Sequence, residues 1–214
     1  MLNHNILFIM TDQFRWDAMG CCGCGIKTPN LDYIASQGIR FTNCVTNSPV
    51  CVPARVSLAL GQYPHNTNIW QNMDYTMPIE CNTWTRSIKS AGYHSCVIGK
   101  THLHPHSGDL REKEYLLHAY GFDDVNEIGG PRANAGVLSH MTAEWKSRAC
   151  GKHIKRITNN GLYPSRLWRG LLHSRLNNRR TQGFYTFRDS RRGLLYGCIL
   201  ENDAQLRRRP IYAL

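Results

Sequence analysis

Apolar and polar positions fall into short blocks whose period changes along the first two thirds of the chain. Asn5–Met10 carries an unbroken apolar run, Ile6 to Met10, closed by Thr11-Asp12-Gln13. An apolar run without alternation predicts a strand buried on both faces, and polar groups at its end belong to the C-terminal edge of a parallel sheet. Thr28-Pro29-Asn30 breaks the chain, after which Leu31, Ile34 and Ala35 share one helical face and Gly38 stands as a C-cap. Ile39–Thr46 alternates around Phe41 and Val45 and predicts a strand. Ser48–Pro53 reads as loop, with Pro53 at N1 of a helix that runs to about Leu60 and ends at Gly61-Gln62-Tyr63-Pro64. Thr83–Ala91 predicts a helix capped by Gly92, and Tyr93–Ile98 a second buried strand ending at Gly99-Lys100. Leu110–Tyr120 predicts an amphipathic helix capped by Gly121. Strands and helices alternating with short connections give an α/β layout. Beyond Arg148 neither period is sustained, and no internal repeat is present.

Charge divides the chain at the same place. The 214 residues carry 26 Lys and Arg against 15 Asp and Glu, a net +11. Residues 1–146 hold 11 basic and 12 acidic side chains, whereas residues 147–214 hold 15 and 3, and 13 of those 15 are Arg. The basic excess therefore belongs to the last third. Basic nucleic-acid binders place their charges on one face or interleave them with stacking aromatics. Trp168, Phe184, Tyr185 and Phe187 follow no such order, so nucleic acid is not the expected partner. The nine cysteines are odd in number and follow no ladder of spacings. Ile6–Met10 is short for a leader and lacks a basic flank, and no run approaches the roughly 20 apolar residues of a membrane span. Free thiols in a cytoplasmic protein, away from membranes, are the expectation.

The chemistry concentrates at Cys51-Val52-Pro53-Ala54-Arg55, a C-x-P-x-R string. A helix opening here turns its first N–H groups toward whatever Cys51 touches, and Arg55 adds a fixed cationic fork. That arrangement suits attack on a sulfate or phosphate ester. Four further segments accompany it: Asn5–Gln13, Lys27-Thr28-Pro29-Asn30-Leu31-Asp32, Gly61-Gln62-Tyr63-Pro64-His65 and Tyr93–His102, which ends in Lys100-Thr101-His102. With Ser48–Arg55 they resemble, in order, the motifs of the type I, formylglycine-dependent sulfatases of the alkaline-phosphatase-like superfamily, over about residues 4–146.

The resemblance implies an α/β/α sandwich with a mixed, largely parallel central sheet, here incomplete. It implies that a formylglycine-generating maturation enzyme oxidises Cys51 to formylglycine, whose hydrated aldehyde attacks sulfur. Asp12, Gln13 and the Cys51-derived group would bind a divalent cation, Ca²⁺ or else Mg²⁺ or Mn²⁺. Arg55 would hold the formylglycine, and Lys100 and His102 would contact sulfate or protonate the leaving oxygen, with Asn72 a further pocket candidate. The substrate would be a small sulfate ester or a sulfated glycan. Gln13 replaces a second Asp of many members and Ala54 the commoner Ser; Asp-Gln also occurs in a branch that cleaves phosphonates or phosphodiesters, the alternative activity. A basic binding module acting through residues 147–214 is the non-enzymatic alternative.

Ca²⁺ takes about 6–8 oxygens, more than these residues supply. Family members complete the site with a late Asp-Asn or Asp-His pair, and Glu201-Asn202-Asp203 is the only local counterpart, in reversed order. The expectation is therefore an N-terminal catalytic part, residues 1–146, joined to an Arg-rich tail, residues 147–214, that is either the product of a reading-frame change near 147–151 or the basic tail of a natural truncated paralogue, in a copy with little or no turnover. Other cysteine and histidine groups receive plainer readings. Cys21-Cys22-Gly23-Cys24 reads as a turn, His102-Leu103-His104-Pro105-His106 as a segment in which only His102 belongs to the motif, and His65, His94 and His118 as surface or packing histidines.

Overall fold

The computed structural model describes residues 5–12, 14–130, 136–147 and 195–202. These fall into two compact units. One gathers the chain up to Ile9, from Thr46 onward and again from Tyr196; the other gathers Met10–Val45. Most of the predicted tail lies outside the described residues.

The first unit is built on a four-stranded sheet ordered β1-β4-β2-β3, from β1 (Ile6–Thr11), β2 (Tyr93–Gly99), β3 (Asp124–Glu127) and β4 (Leu195–Asn202). β2 and β3 are parallel, with Gly99 opposite Glu127, and β2 and β4 are antiparallel, with Tyr93 opposite Asn202. The sheet is thus mixed. β4 is a strand inside the segment for which the sequence offered no period. Its register sets Glu201 and Asn202 beside His94 and Tyr93, at the start of β2 and away from Lys100. Asp203, the last residue of that counterpart, lies outside the described residues.

Helices α2 (Cys51–Leu60), α3 (Pro64–Thr67), α4 (Trp84–Ser90), α5 (Glu114–Ala119) and α6 (His140–Ser147) complete this unit, and α1 (Pro29–Gln37) lies in the other. α4 packs on β2, α5 on β3, and α2 against α3 and α4. On α2, Val52, Val56 and Ala59 recur at spacings of four and three and face a core shared with Met77, Val97, Leu117 and Tyr120. Val56, Met77 and Leu117 are fully buried, and each such side chain contributes about 1.5–3 kcal/mol.

Four expectations change. β1 is half-buried rather than buried on both faces, with Ile6 and Leu7 exposed. α2 begins two residues early, so Pro53 is its third residue; the position tolerates Pro because the first N–H groups of a helix have no intrahelical acceptor. Leu110–Tyr120 divides into a 3-10 turn, Leu110–Lys113, and α5, with the Asp109 carboxylate capping the Arg111 N–H at 3.1 Å. Ile39–Thr46 is not a strand. Ile39, Phe41 and Val45 are 83%, 76% and 87% exposed, and no described strand pairs with this backbone. Alternation marks a face that could be covered; pairing decides whether a strand forms.

In the second unit the Asp32 carboxylate organises the cysteine turn. It accepts the Cys21 N–H at 2.8 Å and the Thr28 hydroxyl at 2.9 Å, while the Gly20 N–H donates to Thr28 Oγ1 at 2.8 Å. Cys21, Cys22 and Cys24 are free thiols on this turn, as the plain reading has it.

A tight joint closes the first unit between α5 and α4. The Tyr120 carbonyl accepts the Thr83 and Thr85 hydroxyls at 2.6 and 2.5 Å, and the Tyr120 hydroxyl donates to the Met77 carbonyl. Gly121 follows with φ +107°, and a Cβ there would lie 2.6 Å from the Arg86 nitrogen. Backbone cannot retreat as a side chain can. Gly121→Ala is expected to cost roughly 3 kcal/mol, combining the left-handed φ with the clash. A urea titration checks it; an unchanged midpoint would remove this joint from the fold's requirements.

Candidate active site

Cys51 is the first residue of α2. Its N-cap, Val50, has extended backbone and offers no side-chain cap. The cap comes instead from far along the chain: Asn72 Oδ1 accepts the Val52 N–H at 2.9 Å. Asn72 thus enters the site as the residue that satisfies the opening turn of the Cys51 helix.

One turn on, Arg55 is buried at 6% exposure and donates from Nη1 to the Lys100 carbonyl at 2.5 Å. A charge-assisted bond of this kind is among the stronger ones in a protein. It ties α2 to the end of β2, where the chain leaves the sheet. Lys100 then turns its side chain back, and Nζ donates to Cys51 Sγ at 3.5 Å. The methylenes and amine run beside Gly130, where a Cβ would lie 3.2–3.4 Å from Cδ, Cε and Nζ. Cys51, Arg55, Asn72 and Lys100 form one cluster from residues up to 49 positions apart. Ammonium, buried guanidinium and the positive end of a helix surround a nucleophile-bearing position, which suits an anionic group.

His102 follows two residues later with φ +56°, a left-handed conformation that is strained for a residue with a side chain. Its ring lies 4.3 Å from that of His106, centroid to centroid, and the Nδ1 atoms of both are buried without a hydrogen-bond partner among the described residues. Burial holds His102 well below its ordinary 6.5, at about 3, helped by the positive charges of His106, Lys100 and Arg55. Glu127 is the buried acid beneath this segment. Burial pushes its carboxyl up, but hydrogen bonds and charge from His104 and His106 outweigh that and hold it at about 2.

Glu127, Thr101, His104 and His106 were not among the expected site residues, and Gly130 was not either. The signal was faint: a single Glu closing a four-residue strand, interpretable only with the β2–β3 register. His65, His94 and His118 take surface or packing positions. His94 pairs with Asp124 at 2.7 Å in the open, His118 Nδ1 lies 2.9 Å from the Phe122 carbonyl, and His65 stacks on Tyr63.

Asp12 is placed just past β1 in the second unit, and Gln13 lies outside the described residues. Among the described residues no group of three or more His, Cys, Asp or Glu could hold a metal ion. Of the clustered histidines, His104 and His106 bond to Glu127. No described helix is long and apolar enough to cross a membrane.

A sequence model of the family Sulfatase matches residues 4–137, which include Cys51, Arg55, Asn72, Lys100 and His102. The chain belongs to the sulfatase family. The family's fold is the alkaline-phosphatase-like α/β fold, of which this sheet and its helices are a part. The chain is 42% identical over 152 residues to the Uncharacterized sulfatase YidJ of Escherichia coli, covering 60% of this chain and 30% of that one. It is 42% identical over 103 residues to the Ulvan-active sulfatase of Formosa agariphila, covering 48% and 20%. It is 38% identical over 100 residues to the N-acetylglucosamine-6-O-sulfatase of Bacteroides thetaiotaomicron, covering 46% and 18%. The chain thus spans a third or less of the length of these sulfatases.

The His102 geometry fixes a pH dependence. An unfolded chain takes up a proton at His102 near pH 6.5, whereas the folded chain resists until about pH 3. Stability from this group is complete above pH 6.5 and is lost as pH falls through that window. Glu127 adds a loss in the same direction between 4.5 and about 2. Thermal melts from pH 7.5 to 5 should show falling Tm, and His102→Asn, which tolerates the left-handed backbone, should flatten the fall. Equal slopes for both proteins would contradict the assignment.

Proposed function

We propose that the chain carries the nucleophile and sulfate-binding part of a sulfuric ester hydrolase, with Cys51 oxidised to formylglycine by a maturation enzyme. The carrying observation is the Lys100 ammonium 3.5 Å from Cys51 Sγ at the opening turn of α2, within the sulfatase match. When formed, the formylglycine hydrate supplies a hydroxyl nucleophile toward sulfur.

This chain's own residues do the remaining work. Asn72 fixes the opening turn of α2, and Arg55 fixes the Lys100 backbone, so the nucleophile and ammonium keep their separation. Lys100 binds a sulfate oxygen and opposes charge developing there. His102 is neutral in the free chain at pH 7; an anion seated beside Lys100 offsets the positive charges that hold it down and lets it carry the proton for the leaving oxygen. Asp12 and Gln13, both oxygen donors, are the residues we assign to a divalent cation, Ca²⁺ ahead of Mg²⁺ or Mn²⁺. Sulfated glycans and small sulfate esters are the substrates we assign, supported by relatives named for ulvan and for N-acetylglucosamine-6-O-sulfate chemistry.

The test is the chain co-expressed with a formylglycine-generating enzyme. Mass spectrometry of the Cys51 peptide should find aldehyde in place of thiol. Little or no turnover is expected of this chain; such release as occurs should come from an aryl sulfate in preference to an aryl phosphodiester, with Cys51→Ala abolishing it and Lys100→Ala lowering it. An intact thiol would remove the formylglycine reading; a phosphodiester preference would replace sulfate hydrolysis with the other branch.

A further inference from the structure

The Glu127 carboxylate spends both oxygens on one short segment. Oε1 accepts the Thr101 N–H at 3.3 Å, the Thr101 hydroxyl and His106 Nε2 at 2.9 Å. Oε2 accepts His104 Nε2 at 2.7 Å. The acid is 2% exposed, and the side chains of His104 and His106 are almost wholly buried with it. A carboxylate only accepts, so both imidazoles must present Nε2–H to it. Every donor comes from residues 101–106, and the parallel register of Gly99 with Glu127 delivers the acid to the point where the segment leaves β2.

Thr101 is the residue between Lys100 and His102. Arg55 holds the segment from one side through the Lys100 carbonyl. Glu127 holds it from the other through the Thr101 N–H and hydroxyl, and the neighbouring His102 keeps a left-handed backbone. Such a conformation persists only where its surroundings over-determine it. His106, fixed through Nε2, lays its ring against that of His102. None of the hydrogen bonds of Glu127 reaches Cys51.

We propose that Glu127 is the positioning residue for Lys100 and His102, acting through Thr101 and His106. The assignment rests on the sulfate-ester reading for what Lys100 and His102 do, but the positioning itself is measurable without turnover. The alternative is a buried acid that satisfies two histidines and stabilises the fold, with no bearing on the neighbours of Cys51.

The experiment uses the uniformly ¹⁵N-labelled full chain, long-range ¹H–¹⁵N spectra of the histidine rings, the Lys100 Nζ resonance and titration with inorganic sulfate. Glu127→Gln keeps the volume and removes the charge. With far-UV dichroism unchanged, it should move the His102 ring and Lys100 Nζ resonances and weaken sulfate binding about tenfold, the size expected for losing a charged hydrogen bond. Thr101→Val cuts the hydroxyl link and leaves the acid and both histidines; it should move the same two resonances in the same direction. Should Glu127→Gln not fold, Thr101→Val decides. Shifts confined to His104 and His106, with His102 and Lys100 unmoved, would overturn the proposal. Absence of sulfate binding by the unmutated chain would overturn the sulfate-ester reading instead, and the free-protein resonances would still decide for or against Glu127.

Discussion

A single hydrogen bond sets the distance on which the site depends. The Arg55 guanidinium, buried on α2, reaches the Lys100 carbonyl at the end of β2. The helix brings Cys51, the strand brings Lys100, and this bond joins them above a shared core. Val52, Val56 and Ala59 on α2 pack into one cluster with Val97 of β2, so helix and strand are already adjacent; the guanidinium fixes their register. A buried cation without an acceptor would be costly, and the carbonyl of a residue leaving a sheet has lost its ladder partner. Each group answers the other's need. Asn72 performs the same service at lower charge, supplying the cap that Val50 lacks.

The parts of this arrangement that local chemistry dictates were legible in the sequence. Ile6–Met10 and Tyr93–Ile98 read as strands because their neighbours are apolar in sequence, and Gly61 ends α2 in the left-handed conformation it is suited to. C-x-P-x-R marked Cys51 and Arg55, and Lys-x-His marked Lys100 and His102. What could not be read depends on partners distant along the chain. Glu127 looks like any acid at the end of a short strand until the β2–β3 register sets it opposite Gly99. Gly130 looks like a loop glycine until Lys100 lies along it. Ile39–Thr46 fails for the converse reason: its alternation is local, but a strand needs a second backbone.

The charge division carries a similar lesson. The basic excess lies after Lys146, whereas the cationic groups that matter to the site are two residues of a nearly neutral segment. Lys100 and Arg55 act because they are buried and aimed, which no composition reports. β4 shows that the Arg-rich segment contains at least one stretch, Leu195–Asn202, whose backbone takes a place in the sheet between β1 and β2.

Cys51 opens a helix whose next residues, Val52, Pro53, Arg55 and Val56, are buried. Once α2 has docked, reading Cys51 to Arg55 as an extended peptide would require unwinding the helix and withdrawing Val56 from the core. Any enzyme that recognises this string in extended form therefore competes with folding. Its opportunity opens when the string leaves the ribosome and closes when the segment containing β2 has followed and packed, so the yield of the oxidation proposed at Cys51 would be a ratio of two rates.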